Sequence, residues 1–310
     1  MTDSVIQYLT TAVARTSAQL LVVFGVMFAL AVAIWFVSQG IRGRAAGRLG
    51  MAYYWIVAPG VACHETGHAF GCLLTGTRIT RFVPFHPTSD GTLGYVEHEQ
   101  PDGGSMLGQV ASFVISTGPV WFGCPVIMLL SWLMAGSGFL PDFNAYFPVG
   151  TPPATGKYVS AVFAAGFEML GNAVSVWQWR SAWIALYVYG VFCVASEITL
   201  SGVDLKHMWK GAGVIVFALF VLNLLPFVGE WINAGIVFAK PMLFVAQVVM
   251  AFVLMLDILF FVVVYCVSLI GRGWWHDERS LRQRPLGWGQ GSPRGGDCEN
   301  TRGAGCPGRR

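Results

Sequence analysis

His64, Glu65, Thr66, Gly67 and His68 form an H-E-x-x-H sequence inside an apolar stretch. On a helix the two histidines stand four residues apart and share one face. Two imidazoles one turn apart can hold a single Zn²⁺, and Glu65 beside them can take a proton from water. With six His and eight Glu in the chain, roughly 0.003 matches to this pattern are expected by chance, so accident is a poor explanation. The bland alternative is a pair of helix histidines packed against polar partners. Three ionisable groups within five residues argue against it, because such groups are costly at membrane depth and usually serve a purpose there.

Composition sets that depth. The chain has 310 residues, 55% hydrophobic and 11% charged. A soluble domain carries about 25% charged residues. Together with 22 Phe and 12 Trp, this predicts a multi-pass protein of the cell membrane. The net charge of +3 is small, and the basic residues lie in short loops and the C-terminal tail, as membrane flanks do. They form no nucleic-acid face. Cys63, Cys72, Cys124, Cys193 and Cys266 lie in apolar segments as small hydrophobes. Cys298 and Cys306 lie in the tail. No C-x-x-C pair exists, so neither a disulfide framework nor a cysteine zinc site is supported. The first apolar run, 20–37, lacks a small-residue cleavage site and is long enough to span, so it does not read as a cleaved signal peptide.

The fold class expected is an all-α multi-span membrane protein with a small β-hairpin after the HETGH helix. Spans are expected at 20–37, 52–74, 106–134, 182–200, 212–228 and 241–270. Segment 158–176, which carries Glu168 and Asn172, makes a seventh if it inserts. A basic loop is expected at 41–49 and a short polar connection at 201–210. Residues 77–104 are polar and Gly-punctuated, with β-like pieces at 78–85 and 92–98. The organisation is then an N-terminal span and basic loop (1–50), a core (51–238) carrying the hairpin, a C-terminal span (241–270), and a disordered basic tail (271–310). Arginines in the tail, Lys206 with Lys210, and Arg42, Arg44 and Arg48 all favour the cytoplasmic side. Trp177, Trp179, Trp183, Trp274 and Trp275 fit interfacial belts, and Arg180 and Lys240 can snorkel.

Two histidines do not complete a catalytic zinc site, which usually takes three protein ligands and a water. The candidates in apolar or membrane-edge context are Glu168, Glu197, Asp204, His207, Glu230 and Asp257. Asp204 also reads as a helix N-cap before residues 205–210. Asp257 reads as a bundle-facing residue paired with another polar group. His86 and His98 have no ligand spacing of their own.

The chain resembles site-2-protease-type intramembrane zinc metalloproteases, the shorter prokaryotic branch above all. His64-Glu65-Thr66-Gly67-His68-Ala69-Phe70, running on into Leu73-Leu74-Thr75-Gly76, carries the likeness. So do Gly91-Thr92-Leu93-Gly94-Tyr95-Val96, then Gly118-Pro119, then Ser201-Gly202-Val203-Asp204-Leu205. The resemblance covers residues 50–230. It implies Asp204 as third metal ligand, with Glu230 and Glu197 as rivals. Asn223-Leu224-Leu225-Pro226 matches the first half of the family's Asn-x-x-Pro…Asp-Gly element. The Asp-Gly half is missing, and Gly229-Glu230 stands nearby.

The activity so implied is zinc-dependent hydrolysis of peptide bonds in membrane-anchored proteins, with Glu65 as general base. Strand 92–98, with Gly94 and Tyr95, would offer an edge to an extended substrate. By the same likeness Asn223 would bind substrate backbone or oxyanion; the alternative is a helix-packing amide. Two other functions compete: a membrane protein that binds or moves a divalent metal, and an inactive scaffold. The first predicts further ligand clusters, of which the sequence shows few. The second has no use for Glu65.

Overall fold

The computed structural model describes residues 2–88, 92–99, 105–146, 155–176 and 182–270. The basic tail, Gly91, Arg180, Trp177, Trp179, Trp274 and Trp275 lie outside them. The chain is mostly helical, with one two-stranded antiparallel sheet. Among the described residues, four helical stretches are long and apolar enough to cross a membrane: Val5–Leu49, Met106–Phe139, Gly202–Asn223 and Phe227–Leu269. Trp183–Glu197 is apolar but shorter.

Helix α1 (Thr2–Leu20) runs through a π-helical turn, Leu21–Gly25, into α2 (Val26–Leu49). The expected basic loop at 41–49 is thus the end of α2. Arg42 there is buried, and Arg44 lies over the Phe261 and Tyr265 rings. Packed partners let these arginines stay helical, as their propensity favours. A short α3 (Met51–Ile56) leads into α4 (Ala58–Thr75), which carries HETGH. Gly76, at φ 67°, ends α4 in the left-handed conformation, and its N–H and that of Thr77 close on the last turn. The chain then turns directly into β1 (Ile79–Val83).

β1 pairs with β2 (Tyr95–His98) in the register Val83 with Tyr95 and Phe82 with Val96. Pairing continues past the strands, where the His86 and Thr88 N–H groups donate to the Leu93 and Thr92 carbonyls. Then come α5 (Met106–Ala135), a 3₁₀ turn (Gly136–Phe139), α6 (Phe143–Tyr146), α7 (Thr155–Val176) and α8 (Ala182–Glu197). Last are α9 (Gly202–Asn223) and α10 (Pro226–Ile270). The polar connection expected at 201–210 is instead the first turns of α9. A Ser201–Asp204 capping box starts that helix early, so its polar residues ride on it. The span expected from 241 begins at Pro226, a proline well suited to a first turn.

The main core lies between α2, α5, α7, α8 and α10, around Ile34, Ile127, Met169, Val191 and Phe252. A second cluster joins Ala45, Tyr53, Val57, Val61 and Leu93. It clamps the hairpin loop onto the end of α2 and the start of α4. Helices α4 and α5 run antiparallel in near backbone contact: Gly67 meets Gly118 and Pro119, and Gly71 meets Ile115. A Cβ on Gly118 would lie 2.2 Å from the Gly67 carbonyl oxygen. Small residues permit this approach, which membrane bundles use in place of a hydrophobic drive.

Gly118→Ala is therefore expected to destabilise the fold by about 1–3 kcal/mol. Gly43→Ala, where nothing lies within 4 Å of the added carbon, should be neutral or stabilising by up to about 1 kcal/mol. Unfolding midpoints in detergent measure the contrast.

Candidate metal centre

On α4, His64 and His68 project from one face, as the four-residue spacing requires. Their Nε2 atoms lie 3.1 Å apart. Asp204, three residues past the N-cap of α9, meets them from the other side. Its Oδ1 is 3.4 Å from His68 Nε2, and its Oδ2 is 3.9 Å from His64 Nε2. Asp204 is buried and both histidines are half-buried.

The outward ring nitrogens explain the inward ones. His64 Nδ1 lies 2.7 Å from the Glu197 carbonyl oxygen, and His68 Nδ1 lies 2.9 Å from that of Ile115. A carbonyl only accepts, so each Nδ1 carries the proton and donates. In the neutral form each ring then presents a bare Nε2 lone pair to the centre. Three acceptors converge: two imidazole nitrogens and a carboxylate. A shared cation satisfies all three. A tetrahedral ion held at about 2.0–2.1 Å sets its ligand atoms about 3.3 Å apart, close to the 3.1 Å between the two Nε2 atoms and the 3.4 Å from His68 Nε2 to Asp204 Oδ1. The group can hold a metal ion, and it is the one such His/Cys/Asp/Glu group among the described residues.

Both carbonyls are spare for identifiable reasons. Pro119 lies inside α5 and has no N–H, so the carbonyl four residues earlier, that of Ile115, lacks its helical partner. Glu197 is the last residue of α8, where carbonyls go unused by the helix. Hydrogen bonds of this kind fix ring tautomer and orientation around a metal. Gly118-Pro119 was visible in the sequence, but its role depends on α4 lying against that turn.

Asp204 is not the N-cap it was expected to be but stands at the third helical position while facing the histidines. The N-cap itself is Ser201, and Asp204 completes a reciprocal capping box. Its Oδ2 accepts from the Ser201 N–H at 2.8 Å, and its N–H donates to Ser201 Oγ at 3.1 Å. The box fixes the carboxylate, and the positive end of α9 favours its charge.

The other candidate ligands are engaged or distant. The Glu197 carboxylate bonds Arg42 at 2.7 Å. Glu168 accepts from the Tyr146 hydroxyl at 2.5 Å. Asp257 accepts from Ser38 at 3.2 Å, which is the polar pairing expected of it. His207 and Glu230 are exposed and outside the group.

Glu65 stands beside the triad, half-buried, with no hydrogen bond or ion pair to its carboxylate among the described residues. It and His64 line a cavity of about 300 Å³, together with Leu93 of the hairpin, Arg42, Glu197 and Ser201. Gly94 lies against it, since a Cβ there would come within 2.9 Å of Glu65 Cγ. The next residue, Tyr95, pairs with Val83 and lies under the Arg81 guanidinium.

Asn223 is placed elsewhere. It lies at the far end of α9 from Asp204, about 28 Å along the helix axis. Its amide donates to Thr16 Oγ1 and Gln19 Oε1 on α1, at 3.0 and 2.8 Å. Sequence position brought it into the motif; the helix between carries it away from the triad. It acts as a helix-packing amide.

Pro119→Ala restores an N–H that competes for the Ile115 carbonyl. It is expected to weaken metal affinity about 10-fold or more, measured by competition with a chelator. Asn223→Ala should leave that affinity unchanged while lowering stability by about 1–3 kcal/mol. Comparison with known proteins finds no matching protein-family profile, curated protein or solved structure. The likeness to site-2-type proteases therefore rests on the motifs themselves.

Proposed function

We propose that this chain is a zinc-dependent intramembrane endopeptidase that hydrolyses peptide bonds of membrane-anchored proteins. One observation carries the reading: Glu65, a carboxylate with no hydrogen-bond partner among the described residues, stands on a cavity wall beside three side chains that could hold a metal ion. A pure metal-binding site has no use for it. The two imidazoles and one carboxylate match catalytic zinc shells that leave one position open.

Bound Zn²⁺ would supply Lewis acidity, making water a nucleophile near neutral pH and polarising the scissile carbonyl. His64, His68 and Asp204 would hold the ion. Glu65 takes the proton from the attacking water and returns it to the leaving amine nitrogen. The cavity admits that water past Arg42, Glu197 and Ser201, which suits a site otherwise set among apolar helices.

The sheet supports the same reading. With two strands, β2 keeps one edge free of the other strand. An extended substrate can add to such an edge. Gly94 and Tyr95 then bring its backbone past Glu65. A helical substrate must first unwind, which Gly or Pro near the cut would ease. With α4, α7 and α8 counted as crossings beside the four long stretches, the bundle has seven, in a cell membrane. Exposed Leu73, Trp183, Trp231 and Phe238 face lipid.

The test uses wild type and Glu65→Gln with a single-span reporter carrying Gly-Pro in its membrane segment. Wild type is expected to hold about one zinc and to cleave, to stop on chelation, and to recover on adding Zn²⁺. Glu65→Gln should keep its zinc and lose at least about 100-fold in rate. Asp204→Ala should lose the metal. Zinc in both wild type and Glu65→Gln, with cleavage by neither, removes the peptidase reading and leaves a metal-binding or transporting protein. Asp204→Ala with full zinc and rate removes Asp204 as third ligand.

A further inference from the structure

The metal group takes its ligands from α4 and α9, yet a charged pair from two other helices reaches it. Arg42 Nη2 of α2 lies 2.7 Å from Glu197 Oε2 at the end of α8, with both residues at least nine-tenths buried. The main-chain carbonyl of the same Glu197 accepts the His64 Nδ1–H. We propose that Arg42 and Glu197 are positioning residues for His64, fixing the end of α8 so that its last carbonyl holds the ring with Nε2 aimed at the metal. The inference rests on the metal reading of the triad and not on peptidase activity.

Three observations carry it. First, nothing regular fixes that carbonyl. Residues 198–201 between α8 and α9 are irregular but largely buried, and the Ile198 N–H turns back to Ala195. Buried irregular backbone needs an outside anchor, and the Arg42 side chain is one. Second, the pair is a poor choice for stability alone. Buried ion pairs often stabilise no better than apolar residues of the same volume, and the second Glu197 carboxylate oxygen has no hydrogen-bond partner among the described residues. Third, the pair lines the cavity on which His64 and Glu65 open. Its displacement would act at the metal group and not at a remote helix contact.

The mechanical path is short. Arg42 draws on the carboxylate, the carboxylate holds residue 197, and the residue-197 carbonyl orients His64. Arg42 itself stands one helical turn from Ser38, which bonds Asp257 of α10. Helix α2 is thus tied at two successive turns.

The decisive variant is Arg42→Met combined with Glu197→Met, which removes both charges and keeps the volume. It is expected to fold with an unfolding midpoint near that of wild type. Its Zn²⁺ affinity, measured against a competing chelator, should fall about 10- to 100-fold. The ligand-field absorption of bound Co²⁺ should shift as His64 loses its fixed direction. Affinity within about twofold of wild type and an unshifted Co²⁺ band overturn the proposal. Should the double variant not fold, Arg42→Lys decides. It keeps the charge but loses the planar fork. A shifted Co²⁺ band at an unchanged midpoint supports the role, and an unshifted band overturns it. No cleavage is read, so a failed peptidase assay does not bear on the result. A wild type that takes up neither ion overturns this proposal and the metal centre together.

Discussion

Two hydrogen bonds from imidazole to main chain govern this site. Each histidine gives its Nδ1 proton to a carbonyl, and only then do both Nε2 lone pairs point at Asp204. The difficulty lies in finding carbonyls to accept. Inside a helix every carbonyl is normally consumed four residues later. The fold obtains one by placing Pro119 inside α5 and another by ending α8 at Glu197. Two defects in regular structure, in different helices, thus become the frame of one metal group.

That frame requires very close packing. The Ile115 carbonyl reaches His68 only because α4 and α5 touch along Gly67, Gly71 and Gly118. Small residues let the two backbones approach this closely, as they do in membrane bundles. Several buried polar groups are paired: Arg42 with Glu197, Ser38 with Asp257, and Asn223 with Thr16 and Gln19. Each pairing limits the cost of a polar group at depth. Glu65 stands at the cavity wall, its carboxylate without a hydrogen-bond partner among the described residues.

The hairpin is held to the site by its own small core. Leu93 packs with Tyr53, Val57 and Val61, and this seats Gly94 against Glu65. A side chain at position 94 would strike Glu65 or the Pro84 carbonyl. The glycine therefore sets how closely the hairpin and the Glu65 side chain can share one space. Position, more than residue type, makes this stretch interesting, since Gly-rich loops are common.

Much was legible in the chain alone. HETGH marked two residues of the group that could hold a metal ion, because helical periodicity is local and fixes the facing of His64 and His68 without reference to anything distant. Low charge and long apolar runs predicted helices, and the Gly-punctuated polar segment predicted the hairpin. Local pattern misjudged boundaries at 41–49 and 202–210, which are helical: packed partners of Arg42 and Arg44 carry the first through, and the Ser201–Asp204 capping box starts the second early. Tertiary structure alone decided the rest. It set Asp204 across from the histidines, and it tied Glu197 to Arg42 and Asn223 to α1. It also gave the Ile115 and Glu197 carbonyls their use. Those outcomes depend on which helices touch and at what height, and spacing along a single chain does not encode the distance between two helices.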